Sequence, residues 1–339
     1  MFRLFLSVMF AACATFATAQ DKKPEPKKLP RIAINDPAKL KDDADFATQG
    51  EYEGEIEVGG NKLKIGAQVI AKGDGKFVVK PFRDGLPGTS ETSEARPLGS
   101  AERDGTKVVV KDNKGMDSGT IADGVLTITA GGLEAKLKKV ERKSPTLGAK
   151  PPSGATVLFA DEADVANWEN GKIATLSDGK FLMASNPRSK KTFQSFTAHI
   201  EFRLAWMPNS TGQGRSNSGV YIQDRYELQV LDSFGLTGEN NECGGFYQQS
   251  KPKVNMCLPP MQWQTYDIEY TAAQFEGGKK TKNAKVVVKH NGVLIQDYEF
   301  PKATPGGKFK DEVPDAGGLF FQDHGDPVVY RNVWVLEKK

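Results

Sequence analysis

The chain has 339 residues, with 46 Lys and Arg against 43 Asp and Glu and a formal charge of +3. That length buries ample core and suits about two domains. The near balance of charge gives no reason to expect a nucleic-acid partner, and much of the small basic excess lies between Lys22 and Lys28, whose simplest reading is a solvated tail.

Met1-Phe2-Arg3 is followed by an apolar run from Leu4 to about Phe16 and by small residues at Ala17-Thr18-Ala19. This charged, apolar, small-residue order predicts a signal peptide over 1–19, cleaved before Gln20. The run is shorter than the roughly 20 residues of a membrane span, and no later stretch approaches that length. The expected destination is secreted, periplasmic or cell-surface. Phe10-Ala11-Ala12-Cys13 offers lipid anchoring at Cys13 as a lesser alternative, weakened by Phe10 where Leu is usual. Loss of Cys13 leaves Cys243 and Cys257, and an oxidising compartment favours a disulfide between them. Such a bridge closes a loop of about 15 residues, worth roughly 3 kcal/mol on the chain-entropy account. The alternative is two free buried thiols.

Residues 20–45 are rich in Lys, Pro and Asp with few large apolar side chains, which predicts a disordered tether. Between 46 and 142, short runs such as Gly54-Glu55-Ile56-Glu57-Val58, Lys76-Phe77-Val78-Val79 and Val125-Leu126-Thr127-Ile128 alternate between Gly, Asp and Asn turns. They predict a small all-β meander or barrel. Its polar residues form no convergent cluster, so it reads as a spacer or accessory module of unknown role. Residues 143–155, with Pro145, Pro151 and Pro152, predict an extended connector.

From 156 to 339, strand-like runs at 181–183, 196–204, 219–223, 226–231, 265–270, 285–289 and 328–336 carry no helical period. They predict a two-sheet sandwich. Alternation turns Ala198, Ile200, Phe202 and Leu204 to the core and sets His199, Glu201 and Arg203 on the opposite face. Tyr226, Leu228 and Val230 likewise point inward, leaving Glu227 and Gln229 outward. A polar outer row is usually just a solvated face. Here, however, it offers Glu201, Arg203, Glu227, Gln229 and Arg225 near Tyr221, rather than the Thr and Lys that exposed strands favour. Bidentate hydrogen-bonding groups beside an aromatic plane suit sugar hydroxyls. A bulge between Val230 and Asp232 would return Asp232 to the face of Glu227.

Asn217-Ser218-Gly219-Val220-Tyr221-Ile222-Gln223, Arg225 to Ser233, Trp263-Gln264-Thr265-Tyr266-Asp267, Phe321-Gln322-Asp323-His324-Gly325-Asp326-Pro327-Val328 and Tyr330 to Trp334 closely resemble the 3-keto-disaccharide hydrolase domain family. The resemblance spans about 157–335. It implies a concanavalin-like β-sandwich (jelly roll) related to the laminarinase and lichenase type β-glucanases, acting on 3-keto-glycosides. The chemistry implied is abstraction of the acidic C2 proton, elimination of the C1 substituent, then hydration. It needs a base, an electrophile for the enolate and a proton for the leaving oxygen. Glu227 is the expected base, with Glu201 competing, and His324 the acid or electrophile. Arg203, Arg225, Gln229 and Gln322 would hold the ketone and hydroxyls, with Asn217, Tyr221, Asp232 and Arg331 as further contacts.

Two other readings stand beside this one. A glucanase-like retaining glycosidase needs two carboxyls about 5 Å apart. Gln229 and Asp232 depart from the Glu-x-Asp-x-x-Glu pattern of that class, and four strand steps separate the Cα atoms by roughly 13 Å. A non-catalytic lectin-like module would favour an aromatic platform, which loop-borne Trp206 or Trp263 could supply; Trp263 and Trp334 fit core positions better. His290 precedes the hairpin turn Asn291-Gly292 and is expected to be exposed. A three-His zinc site would need that residue as well. No cofactor is implied; a divalent metal held by carboxylates, His324 and amide oxygens stays open. Asp323 and Asp326 flank Gly325 as turn caps.

Overall fold

The computed structural model describes residues 30–309 and 311–338. The expected signal peptide, Cys13 and the first part of the tether lie outside these residues. No helix among the described residues is long and apolar enough to cross a membrane.

The fold is all-β. Eight antiparallel strands run as a meander through Gly50–Val58, Asn61–Gly73, Lys76–Arg83, Gly99–Asp104, Lys107–Lys111, Asp117–Ala122, Val125–Ala130 and Leu133–Val140. The last pairs with the first, which closes the sheet into a barrel without free edges. Period-two patterning turns Tyr52, Val69, Phe77, Val79, Val108, Leu126 and Leu137 inward as its core.

Trp206 belongs to this core, although it comes from the second half of the chain. Its ring meets Phe46 edge-on at 5.3 Å, and its indole Nε1 donates to Asp43 Oδ2 at 3.0 Å. It is fully buried and is therefore no sugar platform. The segment after Pro30 is also ordered rather than a disordered tether. Ile34 and Trp206 exchange two backbone hydrogen bonds at 3.0 and 2.7 Å. Asp36 and Asp43 cap the short helices Pro37–Leu40 and Ala44–Thr48, and Leu40 is buried in the barrel core.

The second half forms two stacked sheets. The larger has the order Ile173–Leu176, Gly179–Met183, Val329–Glu337, Phe196–Arg203, Trp263–Thr271, Ala284–His290, Val293–Phe300, with Thr156–Phe159 also on Val329–Glu337. The smaller has the order Trp168–Glu169, Arg188–Ser189, Phe320–Phe321, Ser218–Ile222, Tyr226–Val230. Ile200, Phe202 and Leu204 from the larger sheet meet Val220, Ile222, Leu228 and Val230 from the smaller in one core. This is the concanavalin-like sandwich.

Residues 143–155 do not form a free connector, because 144–149 lie as a strap on the outer face of the larger sheet. Ser144 Oγ bonds Thr265 Oγ1 at 2.6 Å, and Gly148 N donates to Glu201 Oε1 at 2.5 Å. Cys243 and Cys257 are buried free thiols, not a disulfide. Within the core they pack as small apolar residues with weak contacts, Cys243 Sγ to Tyr266 Oη at 3.2 Å and Cys257 Sγ to Leu231 O at 3.5 Å. His290 is buried as well. Its Nε2 lies 2.9 Å from Gln264 Oε1, and burial pushes its pKa down to about 3. The Asn291-Gly292 turn forms, with φ of 50° and 81°, but the residue before it faces inward.

Candidate active site

Tyr221 stands opposite Glu227, and Gly219 opposite Gln229, in the pairing of Ser218–Ile222 with Tyr226–Val230. Alternation turns all four away from the sandwich core. They are nevertheless only 0–3% exposed where they carry side chains, because neighbouring loops cover this outer face. Glu227 Oε2 accepts from Tyr221 Oη at 2.8 Å, and Glu227 N donates to Thr304 Oγ1 at 2.7 Å. Tyr221 Oη also lies 3.0 Å from the Pro305 carbonyl, and Gln322 Nε2 is 3.4 Å from that phenol. Gln229 Nε2 donates to Asn217 Oδ1 at 3.1 Å and to Gln213 Oε1 at 3.2 Å. Asn217 N is fixed by Asp326 Oδ2 at 2.8 Å, and Asp326 in turn pairs with Arg31.

Two features give this cluster chemical capacity. Burial drives the Glu227 pKa up to about 7, against the opposing hydrogen bond from Tyr221. A carboxyl there is a base matched to neutral pH. The amide oxygens Gln229 Oε1 and Gln322 Oε1 are buried and find no hydrogen-bond partner among the described residues. Unpaired buried acceptors are costly and uncommon, and they are well placed for a ligand's hydroxyls.

Of the expected residues, the structure brings Glu227, Tyr221, Gln229, Asn217 and Gln322 together. Glu201, Arg203 and Arg331 lie on the larger sheet, across the core from them. Glu201 Oε1 accepts from Gly148 N, from Asn332 Nδ2 at 2.9 Å and faces His199 Nε2 at 3.3 Å; Oε2 accepts from Arg331 Nε at 2.7 Å. Burial alone would raise its pKa, but these partners outweigh burial and hold it at about 2. So well-satisfied a carboxylate is a poor base. The Arg203 guanidinium pairs with Asp178 and stacks on Trp263 and Phe181, and Arg331 lies 4.0 Å from the Trp263 ring centre.

Arg225 is also structural. It is buried, donates to Gln223 Oε1 at 2.9 Å and Asp315 O at 2.8 Å, and stacks on Phe309. The expected bulge beyond Val230 is absent: the strand ends there and Asp232 pairs with Arg215 at 2.6 Å inside the protein. His324 is exposed on the loop after Gln322. Asp323 does cap its turn, accepting from Gly325 N at 2.6 Å. Among the described residues no group of three or more His, Cys, Asp or Glu is placed to hold a metal ion.

Sequence reasoning missed Gly219, Gln213, Thr304, Pro305 and Tyr247. Tyr247 N donates to Glu227 O at 3.2 Å; the Tyr221 pKa is raised chiefly by burial, then by Glu227 and Asp224, and the half-buried Tyr247 adds to it. Gly219 had a signal, its place within Asn217-Ser218-Gly219-Val220-Tyr221. Thr304 and Pro305 had none, lying more than 70 residues from Glu227 in an unpatterned stretch.

A sandwich whose smaller sheet presents a sheltered acid among Tyr, Gln and Asn defines a carbohydrate-active domain. Residues 154–336 match the 3-keto-alpha-glucoside-1,2-lyase-like domain, and the chain belongs to that family. Two crystal structures of candidate glycosyl hydrolases from Parabacteroides distasonis ATCC 8503 are similar to it. One is 33% identical over 55% of this chain and 85% of its own, with a TM-score of 0.49. The other is 17% identical over 55% and 95%, with a TM-score of 0.35. No curated protein matches.

Proposed function

We propose that this protein is an exported enzyme that cleaves 3-keto-glycosides by elimination across C1 and C2, followed by hydration. The observation that carries this reading is Glu227, a single sheltered carboxyl with a pKa raised by burial to about 7. Conventional retaining hydrolysis needs a second carboxyl about 5 Å away. Asp232, the acid weighed as that second carboxyl, is engaged with Arg215, and Glu201, the competing base, is held on the other sheet. Elimination from a keto-sugar needs only one.

A ketone at C3 acidifies the hydrogen on C2. Glu227 takes that proton, and the C–H electron pair forms the C2–C3 enolate with its charge on the C3 oxygen. As the carbonyl reforms, the pair moves to C1–C2 and the C1–O bond breaks. The leaving oxygen takes a proton from the Glu227 carboxyl, which restores the carboxylate. Water adding across the C1–C2 double bond completes a net hydrolysis. Gln229, Gln322 and Asn217 hydrogen-bond the sugar hydroxyls. Export is supported by the signal-like order of residues 1–19.

The test is incubation of the protein with a 3-keto-disaccharide and with its unoxidised parent, sugar release being followed by mass, beside Glu227→Gln. Cleavage of the keto form alone, abolished in the variant, is expected. Cleavage of the parent, or binding of either sugar without cleavage, overturns the proposal.

A further inference from the structure

Of the loops that cover Glu227, one connection bears directly on Tyr221. Between Val293–Phe300 and Phe320–Phe321 the described residues of 301–319 form no helix or strand. Irregular connections this long in a compact domain are commonly functional lids. Both ends are pinned. Thr304 N donates to Arg225 O at 2.9 Å, Arg225 Nη2 holds Asp315 O, and Tyr226 Oη bonds Glu312. Between these anchors Pro305 and Gly306 are exposed on one side and pressed onto Tyr221 on the other. A Cβ on Gly306 would come within 2.3 Å of Tyr221 Oη, so only glycine allows this approach.

The contact itself is chemically specific. Tyr221 has one phenolic proton and two oxygen neighbours, Glu227 Oε2 at 2.8 Å and Pro305 O at 3.0 Å. With Glu227 ionised, the phenol donates to the carboxylate. With Glu227 protonated, the carboxyl donates to the phenol oxygen and the phenol donates to the Pro305 carbonyl. An sp² carbonyl oxygen, bound by a phenol beside the base, is also what a bound ketone would present.

We propose that the Pro305 carbonyl occupies the place of the substrate's C3 carbonyl, so that Tyr221 is the donor to the ketone and enolate oxygen and 304–309 is a flap that leaves to admit substrate. The proposal rests on the keto-sugar reading of the site. As Glu227 takes the C2 proton it ceases to accept from the phenol, whose O–H turns to the C3 oxygen as charge gathers there. Glu227, carrying the C2 proton, donates to the phenol until the enolate collapses and the leaving oxygen takes the proton. Departure of the flap also frees the Gln322 side chain, which lies beside Gly306, for a sugar hydroxyl.

The experiment has two arms. In the first, wild type and Tyr221→Phe are compared on a 3-keto-disaccharide. Loss of the donor should lower kcat by 100-fold or more, roughly the effect of removing one oxyanion donor, with KM changed only a few-fold. The limb of the pH profile that reports Glu227 should move upward, since the phenol holds that pKa down. In the second arm, hydrogen exchange is followed at the amides of Thr304, Lys308 and Phe309, which are bonded to Arg225 and Asp224 in the closed flap. Saturating 3-keto-glucose, and not glucose, should speed their exchange. A near wild-type kcat in Tyr221→Phe, or unchanged protection of those amides, overturns the proposal. Should the wild type cleave no keto-sugar, the keto-sugar reading fails on its own, and the exchange arm still decides whether a ketone displaces the flap.

Discussion

The Glu227 carboxyl lies over the bare α-carbon of Gly219, so that a Cβ at Gly219 would come within 2.5 Å of Oε1 and 3.1 Å of Cγ and Cδ. Gly219 carries no ionisable group, yet it sets where the base stands. The carboxyl cannot swing aside freely, because Tyr221 holds its other oxygen. In Gly219→Ala the carboxyl must therefore shift by a large part of an ångström. Misplacement on that scale costs about 100-fold in rate. We expect kcat on a 3-keto-disaccharide to fall by about that factor while the melting temperature stays within a few degrees. Wild-type turnover in this variant would remove Glu227 from the mechanism.

The raised pKa of Glu227 has a thermodynamic signature. Its native value, about 7, lies above the ordinary 4.5. Between those values the native state binds more protons than the unfolded chain, so stability falls as pH rises through the window. The full difference corresponds to about 3 kcal/mol. Glu227→Gln keeps an acceptor for Tyr221 and removes the buried charge. The variant should therefore melt above wild type at pH 8 and lose that advantage toward pH 5, as scanning calorimetry would show. A constant offset at all pH values would mean that Glu227 titrates normally.

Alternation assigned the two longest faces correctly: Ala198, Ile200, Phe202, Tyr226, Leu228 and Val230 are all core. What it could not reveal is which sheet a strand joins. Glu201 and Glu227 both read as outward acids, and only the strand order places them on opposite sides of the sandwich. Nor does an outward position imply exposure, since loops distant in sequence cover Glu227 and Gln229. The charges that seemed to converge on a ligand, Arg225 and Asp232, are consumed by internal pairing. His290 shows the same limit at single-residue scale: the Asn-Gly turn was legible, but the inward rotation of the residue before it depends on Gln264, 26 positions away.

The network around Glu201 lies apart from the active site and should behave as a clamp. His199 bridges Asp267 at 2.7 Å and Glu201 at 3.3 Å, stacks on Trp334, and sits under the strap that Gly148 and Thr146 fasten to the two carboxylates. Burial pushes the His199 pKa down, but the hydrogen bonds and charges of Asp267 and Glu201 outweigh it and the net shift is upward. The stabilisation from His199 is thus complete below its ordinary 6.5 and is lost as pH rises through the higher native value. For Glu201 the sign is opposite. Its contribution is complete above 4.5 and is lost as pH falls toward about 2. The clamp is therefore strongest from about pH 4.5 to 6.5. Glu201→Ala removes the carboxylate that Arg331 faces, leaves His199 with Asp267 alone and frees Gly148. Breaking one partner of such a buried pair costs about 3 kcal/mol or more. At pH 6 we expect that loss in denaturant melts, together with faster tryptic cleavage after Lys143 at the start of the loosened strap. Turnover below the melting range should stay within two-fold of wild type. A collapse of kcat matching Glu227→Gln, in protein that remains folded, would instead return Glu201 to the chemistry.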